Sequence, residues 1–252
     1  TLPSEKVIGE IDIFAAQLMV HDDAIYLHEG RQFHVDKLDW ERKKAYVRQV
    51  KSDHYTDAHL KSEIKVIEVF EEKAAANGFV GHGEVVVSSL ATMYKKIKFH
   101  TQENIGWGKI HLPEIELHTT AFWYGFPDDV VEQLSMNNEK FGDGLKGVSN
   151  VLKNIVPLYV MGDRRDFGAA AMVKAPFSGK SSIYIWEQYP GGIGFSKKLF
   201  SIFQETSASG LQLIQNCQCE HGCPACVGPT LEVGDLGKES AIEILTYIIK
   251  PQ

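Results

Sequence analysis

The chain has 252 residues, 44% of them hydrophobic, and a formal net charge of −7. That length can bury a core in one large domain or two small ones, and no apolar run reaches the roughly 18 residues that a membrane-spanning helix needs. The acidic balance argues against wholesale electrostatic wrapping of nucleic acid but leaves room for a local basic patch. No basic-then-apolar leader precedes the first strand, which points to the cytoplasm. A start at Thr1 instead of Met is what a piece of a longer protein would show.

From about Val7 to Pro127 the pattern is mostly strand. Residues 24–28 and 32–35 alternate on either side of Glu29-Gly30-Arg31, as in a hairpin, and a polar connection over 39–44 leads to a strand over 45–50. Further strands are predicted over 64–70, 83–87, 94–99 and 114–123. Polar residues on the second face imply antiparallel pairing with one side wet. The period then lengthens: Phe141, Leu145, Val148, Leu152, Ile155 and Tyr159 recur at helical spacing. Gly142, Gly144 and Gly147 inside that helix suggest close packing against another element, and Pro157 should kink or end it. Ser182–Glu187 reads as a buried strand. Gly191-Gly192-Ile193-Gly194 opens a second helix carrying Phe195, Leu199, Ile202, Phe203 and Thr206. Asp235 is placed to cap a last helix with Ile242, Leu245 and Ile249, stopped by Pro251.

The four cysteines of the chain, Cys217, Cys219, Cys223 and Cys226, fall within ten residues. Thiolates bind zinc tetrahedrally, and Cys223-Pro-Ala-Cys226 supplies one tight half-site, Cys217-Gln-Cys219 another, with His221-Gly222 letting the chain reverse between them. Four thiolates close the coordination shell, so the zinc is expected to be structural: Glu220 has no metal-bound water to activate. A four-cysteine set can also hold an iron–sulfur cluster, and His221 could replace one sulfur. Disulfides are the bland alternative, although a Cys217–Cys219 ring would be strained.

Other constellations are weaker. The glycine turn at 189–196 joins a strand to a helix. It either leaves backbone N–H groups for a phosphate or simply permits a tight turn, and Lys197 and Lys198 at the helix start invite an anion. Gly179-Lys180-Ser181 resembles the tail of a nucleotide-binding loop, but Lys174 stands where that loop needs glycine. Asp163, Arg164, Arg165 and Asp166 form an acidic and basic loop, read as internal pairing with an arginine open to phosphate. With Glu187, the two aspartates could assemble a metal-dependent nuclease site. Trp123 and Trp186 are expected in the core, and His54, His59, His82 and His100 show no ligand spacing.

The stretch Ile183-Tyr-Ile-Trp-Glu-Gln-Tyr-Pro-Gly-Gly-Ile-Gly-Phe-Ser196, with the cysteine motif that continues into Val227-Gly228-Pro229, resembles the C-terminal region of bacterial DEAD/DEAH-box DNA repair helicases of the mitomycin-repair type. Residues 24–30 and 38–47 are similar to the region that follows the motor in those proteins, so the resemblance covers nearly the whole chain. It implies that Cys217, Cys219, Cys223 and Cys226 are the family's zinc ligands and that Pro190, Gly191, Gly192 and Gly194 are its glycine turn. Asp163 and Asp166 fall on its acidic loop. Glu187 stands where the family commonly has aspartate and Gly162 where a cysteine is expected, which weakens a catalytic role for that loop. The family's ATP site belongs to upstream motor domains whose phosphate loop and Asp-Glu box this chain lacks.

The expectation is therefore an α+β fold: a small β-barrel-like module over 1–53, an antiparallel β region over 54–127, and a helical and mixed part over 128–252 with a zinc knuckle at 217–226. Its expected function is that of a non-catalytic accessory module of an ATP-dependent helicase. It would guide or clamp single-stranded DNA weakly through Arg164, Arg165, Lys197, Lys198 and the turn at Gly192, beside the upstream motor domains and away from any membrane. The alternatives are the nuclease using Asp163, Asp166 and Glu187, and a zinc-stabilised protein-interaction module.

Overall fold

In the computed structural model, which describes residues 6–250, the first regular element is a helix, α1 (Ile13–Met19), where the sequence pattern reads as strand. Asp12 starts it: its Oδ1 accepts from the N–H groups of Phe14 (2.8 Å) and Ala15 (3.3 Å), the usual satisfaction of orphan donors at a helix start. Three antiparallel strands follow, β1 (Ile25–His28), β2 (Arg31–Asp39) and β3 (Lys44–Val50), in the order β1-β2-β3. The predicted first hairpin is present, with Glu29 and Gly30 both at positive φ (48° and 72°), as a tight two-residue turn requires. Phe33, Val35 and Val47 face Ala16, Val20 and Ala24 in a small core. The sheet stays open. The barrel-like expectation is corrected to that extent, since three strands beside one helix do not close.

The separate strands predicted at 64–70, 83–87 and 94–99 are parts of two long ones, β4 (His54–Ala75) and β5 (Gly78–Lys98). They reverse at Ala76-Asn77. Two strands missing from the sequence reading flank later segments: β6 (Asn104–Lys109), which pairs antiparallel with β5, and β8, given below. β7 (Ile115–Gly125) is the predicted strand, extended by two residues at its end. The chain divides into two compact units. One contains the residues up to Glu63 with Ser88–Glu116; the other contains Ile64–Val87 and everything from Leu117.

In the second unit, α2 (Val130–Gln133) precedes the long helix α3 (Asn138–Val160), whose start Asn137 caps through Oδ1 to Lys140 N at 2.7 Å. Pro157 does not end α3. The helix runs on to Val160 and stops at Met161, in the left-handed conformation (φ 58°). A short 3-10 turn (Arg164–Asp166) leads into β8 (Phe167–Met172), then come β9 (Ser182–Glu187), α4 (Phe195–Asn216), α5 (Thr230–Val233) and α6 (Gly237–Ile249). Asp235 does not cap α6: Leu236 holds that position and no side chain caps it. Pro251, the expected stop, lies outside the described residues.

The second sheet has the order β4-β5-β7-β9-β8, with β6 on β5. Phe122 and Tyr124 of β7, Ile183 and Ile185 of β9 and Phe167 of β8 form one core with Phe141, Leu145 and Leu152 of α3, Leu199 and Phe203 of α4, and Ile244 and Leu245 of α6. The glycines of α3 let α6 approach. A Cβ on Gly144 would lie 2.7 Å from Ser240 Cβ and Ile244 Cδ1, and one on Gly147 3.1 Å from Ala241 Cβ. Gly142 has no such neighbour beyond ordinary contact with Val173. Trp123 and Trp186 are buried, as expected of core residues. Among the described residues no helix is long and apolar enough to cross a membrane.

Candidate metal centre and glycine turn

Cys217 is the residue at which α4 ends, its N–H donating to Ile214 O at 3.2 Å. The chain then doubles back: Gly222 adopts φ +133°, and a Cβ there would meet Gly228 O at 2.8 Å. Cys223 O accepts from the N–H groups of Cys226 and Gly228, both at 3.0 Å, which folds the Cys-x-x-Cys half into a turn. All four sulfurs come within 4.8 Å of one another. Four of their separations are 3.5–3.6 Å.

That spacing decides between the alternatives. A disulfide would bring two sulfurs to about 2.05 Å. A multi-iron core would hold thiolates on different irons, further apart. A tetrahedron with zinc–sulfur bonds of about 2.3 Å has edges of about 3.8 Å, close to what the sulfurs already show. His221 is not in the cluster; it lies exposed, 3.9 Å from Glu220. The donor set fits one zinc ion held by Cys217, Cys219, Cys223 and Cys226, with no position left for water.

The supporting shell was not visible in the sequence. Asn150 and Asn154 on α3 donate to Val227 O (2.9 Å) and Cys226 O (3.4 Å). Lys238 on α6 donates to Cys217 O (2.7 Å) and to Cys219 O. Its ammonium lies beside a centre that would carry four thiolates, the kind of outer contact that orients ligands and offsets their charge. Cys226 and Val227 are fully buried in the core of the unit. Burial pushes the Cys226 thiol up to about 12, whereas the Cys219 N–H and the neighbouring thiols draw Cys217 down to about 7. A bound dication deprotonates coordinating thiols outright, so metal uptake there releases protons.

The glycine turn is built around Glu187. This residue is 1% exposed at the end of β9. Its carboxylate accepts from Thr120 Oγ1 (2.8 Å), Ile193 N (2.5 Å) and Ser196 N (2.8 Å). Gly191 N donates to His118 O and Gly192 N to Tyr189 O. The start of α4 therefore already holds a carboxylate of the chain's own, and the N–H groups of Gly191, Gly192, Ile193 and Ser196 are engaged within the chain rather than left for a phosphate. Gly192 is needed for shape: φ is +71°, and a Cβ would sit 2.2 Å from Thr120 Oγ1.

The acidic loop is also internally engaged. Asp163 Oδ1 accepts from Arg165 N (2.9 Å) and Nε (3.3 Å), and those contacts hold its carboxyl below the usual range. Asp166 accepts from Asp163 N (2.6 Å) and from the Tyr189 hydroxyl (2.7 Å). Among the described residues the cysteines are the one metal-ligand group; Asp163, Asp166 and Glu187 do not converge into a second.

Arg164, Arg165, Lys197 and Lys198 are all exposed. Phe167 pairs with Glu187 across β8 and β9, and Gln188 N donates to Asp166 O at 2.8 Å. The arginine loop and the glycine turn thus sit at the same end of one strand pair. Lys153 on α3 is mostly buried, and its pKa is lowered by that burial and, to a lesser extent, by the charge of Arg164.

Gly179-Lys180-Ser181 closes the connection from β8 to β9, with Gly179 N on Ala175 O and Ala175 N on Lys180 O, both at 2.8 Å. It joins antiparallel strands and leads into no helix, so it cannot aim a helix start at a phosphate. The chain alone is expected to hydrolyse ATP only at background, with Lys180→Ala unchanged, and to leave DNA intact in Mg²⁺ or Mn²⁺. A divalent-dependent nick lost in Asp163→Ala would restore the nuclease reading.

A helical unit stapled by a closed four-cysteine zinc centre defines a zinc-binding domain. Residues 148–227 match the family described as the MrfA Zn-binding domain. The chain is 43% identical over 245 residues to the ATP-dependent helicase YprA of Bacillus subtilis, which covers 95% of this chain and 32% of that protein. The helicase HRQ1 of Saccharomyces cerevisiae is 19% identical over 88% of the chain and 22% of its own length. Among solved structures, the DUF1998 helicase MrfA bound to DNA is 43% identical with a TM-score of 0.65, over 96% of this chain and 32% of that one. MrfA in a further crystal structure gives 38% and 0.67 over 97% and 32%. The chain is thus similar to the C-terminal region of MrfA-type helicases, and the stretch that carries the cysteine and Tyr-Pro-Gly-Gly motifs lies within the match to their zinc-binding domain. The chain spans about a third of the length of YprA and MrfA and about a fifth of that of HRQ1.

Proposed function

We propose that the chain is the C-terminal accessory part of an ATP-dependent DNA helicase, and that it guides single-stranded DNA beside upstream motor domains. The observation that carries this reading is the near-complete match of the chain to a third of MrfA, a helicase whose structure with DNA is solved. What supports a DNA path on this chain is the gathering of exposed Arg164, Arg165, Lys197 and Lys198 at one end of the β8–β9 pair. The strand would meet these side chains rather than the turn's backbone, because the N–H of Gly192 already has its acceptor.

Binding by the isolated chain is expected to be weak and independent of sequence. Each phosphate neutralised on a single strand contributes about −0.7 to the slope of log affinity against log salt, so three or four cations give about −2 to −3. The net charge of −7 opposes the rest of the encounter. Fluorescence anisotropy over a salt series checks this: Arg164→Glu with Lys197→Glu flattens the slope while the thermal midpoint stays put. Wild-type affinity and slope in that double variant would move the DNA contact elsewhere or leave a protein-interaction module.

A further inference from the structure

The β5–β6 hairpin of the first unit is basic. Over residues 93–109 it carries Lys95, Lys96, Lys98 and Lys109 against a single acid, Glu103, in a chain whose net charge is −7. Lys98 is taken: it pairs with Glu103 at 3.4 Å and acts on Asp53. Lys95, Lys96 and Lys109 have no ion pair among the described residues.

The register sets the faces. Lys95 lies opposite Trp107, Met93 opposite Lys109, and Tyr94 opposite Gly108. Side chains alternate across a strand, so Tyr94 turns into a small core with Ala91 and Ile110, while Met93, Lys95, Trp107 and Lys109 share the other face. Trp107 is 57% exposed there, and the Lys95 ammonium lies 5.1 Å from its ring centroid. β6 pairs with β5 alone, so this face lies at the edge of the sheet.

Edge strands commonly carry lysines to block pairing with another chain. An exposed tryptophan works against that purpose, since it adds apolar surface where the lysines would repel a neighbour. An exposed indole beside lysines that lack ion pairs has a better match in the way single strands are held: bases stack on aromatic rings while lysines follow the phosphates. We infer that the β5–β6 face is a second contact for single-stranded nucleic acid, with Trp107 stacking a base and Lys95 and Lys109 holding the adjoining phosphates. It rests on the DNA-guiding reading above but uses different residues, in the other unit.

The test titrates the whole chain with fluorescently labelled single-stranded oligodeoxythymidine. Trp107→Ala is expected to weaken binding about tenfold and leave the salt slope unchanged, because it removes stacking and no charge. Trp107→Phe keeps most of the affinity. Lys95→Glu with Lys109→Glu flattens the slope. Thermal midpoints should hold for all three variants, since none of the side chains is in the core. Wild-type affinity in Trp107→Ala overturns the inference, whatever Arg164 and Lys197 do. Loss in Trp107→Ala beside wild-type behaviour in the Arg164 and Lys197 variant leaves this contact standing and removes the other. An absence of binding by the wild-type chain overturns both.

Discussion

Cys223→Ser or Cys226→Ser is expected to release about one zinc ion per chain and to loosen the C-terminal part of the protein from the glycine turn onward. A structural zinc contributes folding energy directly, of the order of 10 kcal/mol in small zinc-finger peptides. Here the effect is expected to spread, because the knuckle is not a surface appendage. Cys226 and Val227 are fully buried in the main core, Asn150 and Asn154 hold their carbonyls from α3, and Lys238 ties Cys217 and Cys219 to α6. Without the metal, four thiols 3.5–3.6 Å apart lose the ion that fits them together. The small core of Phe33, Val35 and Val47 contains no ligand and should keep its protection. Elemental analysis with amide hydrogen exchange checks both halves of the statement. Acidification is an independent route to the same state, since protons compete for the thiolates and zinc retention falls as pH falls. A preparation without metal, or a serine variant with wild-type exchange in α3, α4 and α6, would remove the zinc from the account of stability.

The metal centre was legible in the sequence because its information is local: ten residues hold all four ligands, and ligand chemistry needs no knowledge of the fold. The strip of Phe141, Leu145, Val148 and Leu152 was legible for a similar reason, as one periodic signal over a 23-residue helix. Where signals were short, the reading failed. Helix α1 has seven residues and one strong cue, the Asp12 cap, inside a region dominated by alternation. The merging of three predicted strands into β4 and β5 was announced only by Asn77-Gly78, a common hairpin signal. Asn77 also clips that turn down, donating to Tyr247 O while its own carbonyl accepts from Tyr124. These partners lie up to 170 residues away and leave no pattern in the sequence. The same holds for Lys238 and the two asparagines around the zinc site, and for the pairing of the acidic loop with the glycine turn through Tyr189.

Glu187 is the residue whose role changed most between sequence and structure, and its removal should be the costliest single change outside the cysteines. A nuclease ligand would be replaceable with little loss of stability. The structure instead places this carboxylate, 1% exposed, as the common acceptor of Thr120, Ile193 and Ser196. Thr120 Oγ1 in turn accepts from Ser196 Oγ at 2.9 Å, and Thr119 Oγ1 donates to Glu187 O and Tyr189 O, so the end of β9, the glycine turn and the start of α4 share one network. Deleting one member of a buried charged hydrogen-bond set leaves its partners unsatisfied, at a cost of about 3–5 kcal/mol. For a chain of this size each kcal/mol lowers the melting temperature by about 2–4 °C, so Glu187→Ala should melt about 10 °C below the wild type. Glu187→Gln keeps one acceptor oxygen but turns an amide N–H₂ toward a donor, and should fall between the two. Thermal unfolding followed by circular dichroism orders the three proteins. The rank wild type, Gln, Ala assigns Glu187 to holding the turn that positions Lys197 and Lys198. An unchanged melting temperature in Glu187→Ala would show that the network is not what orders this end of α4, and the carboxylate would again need a chemical role.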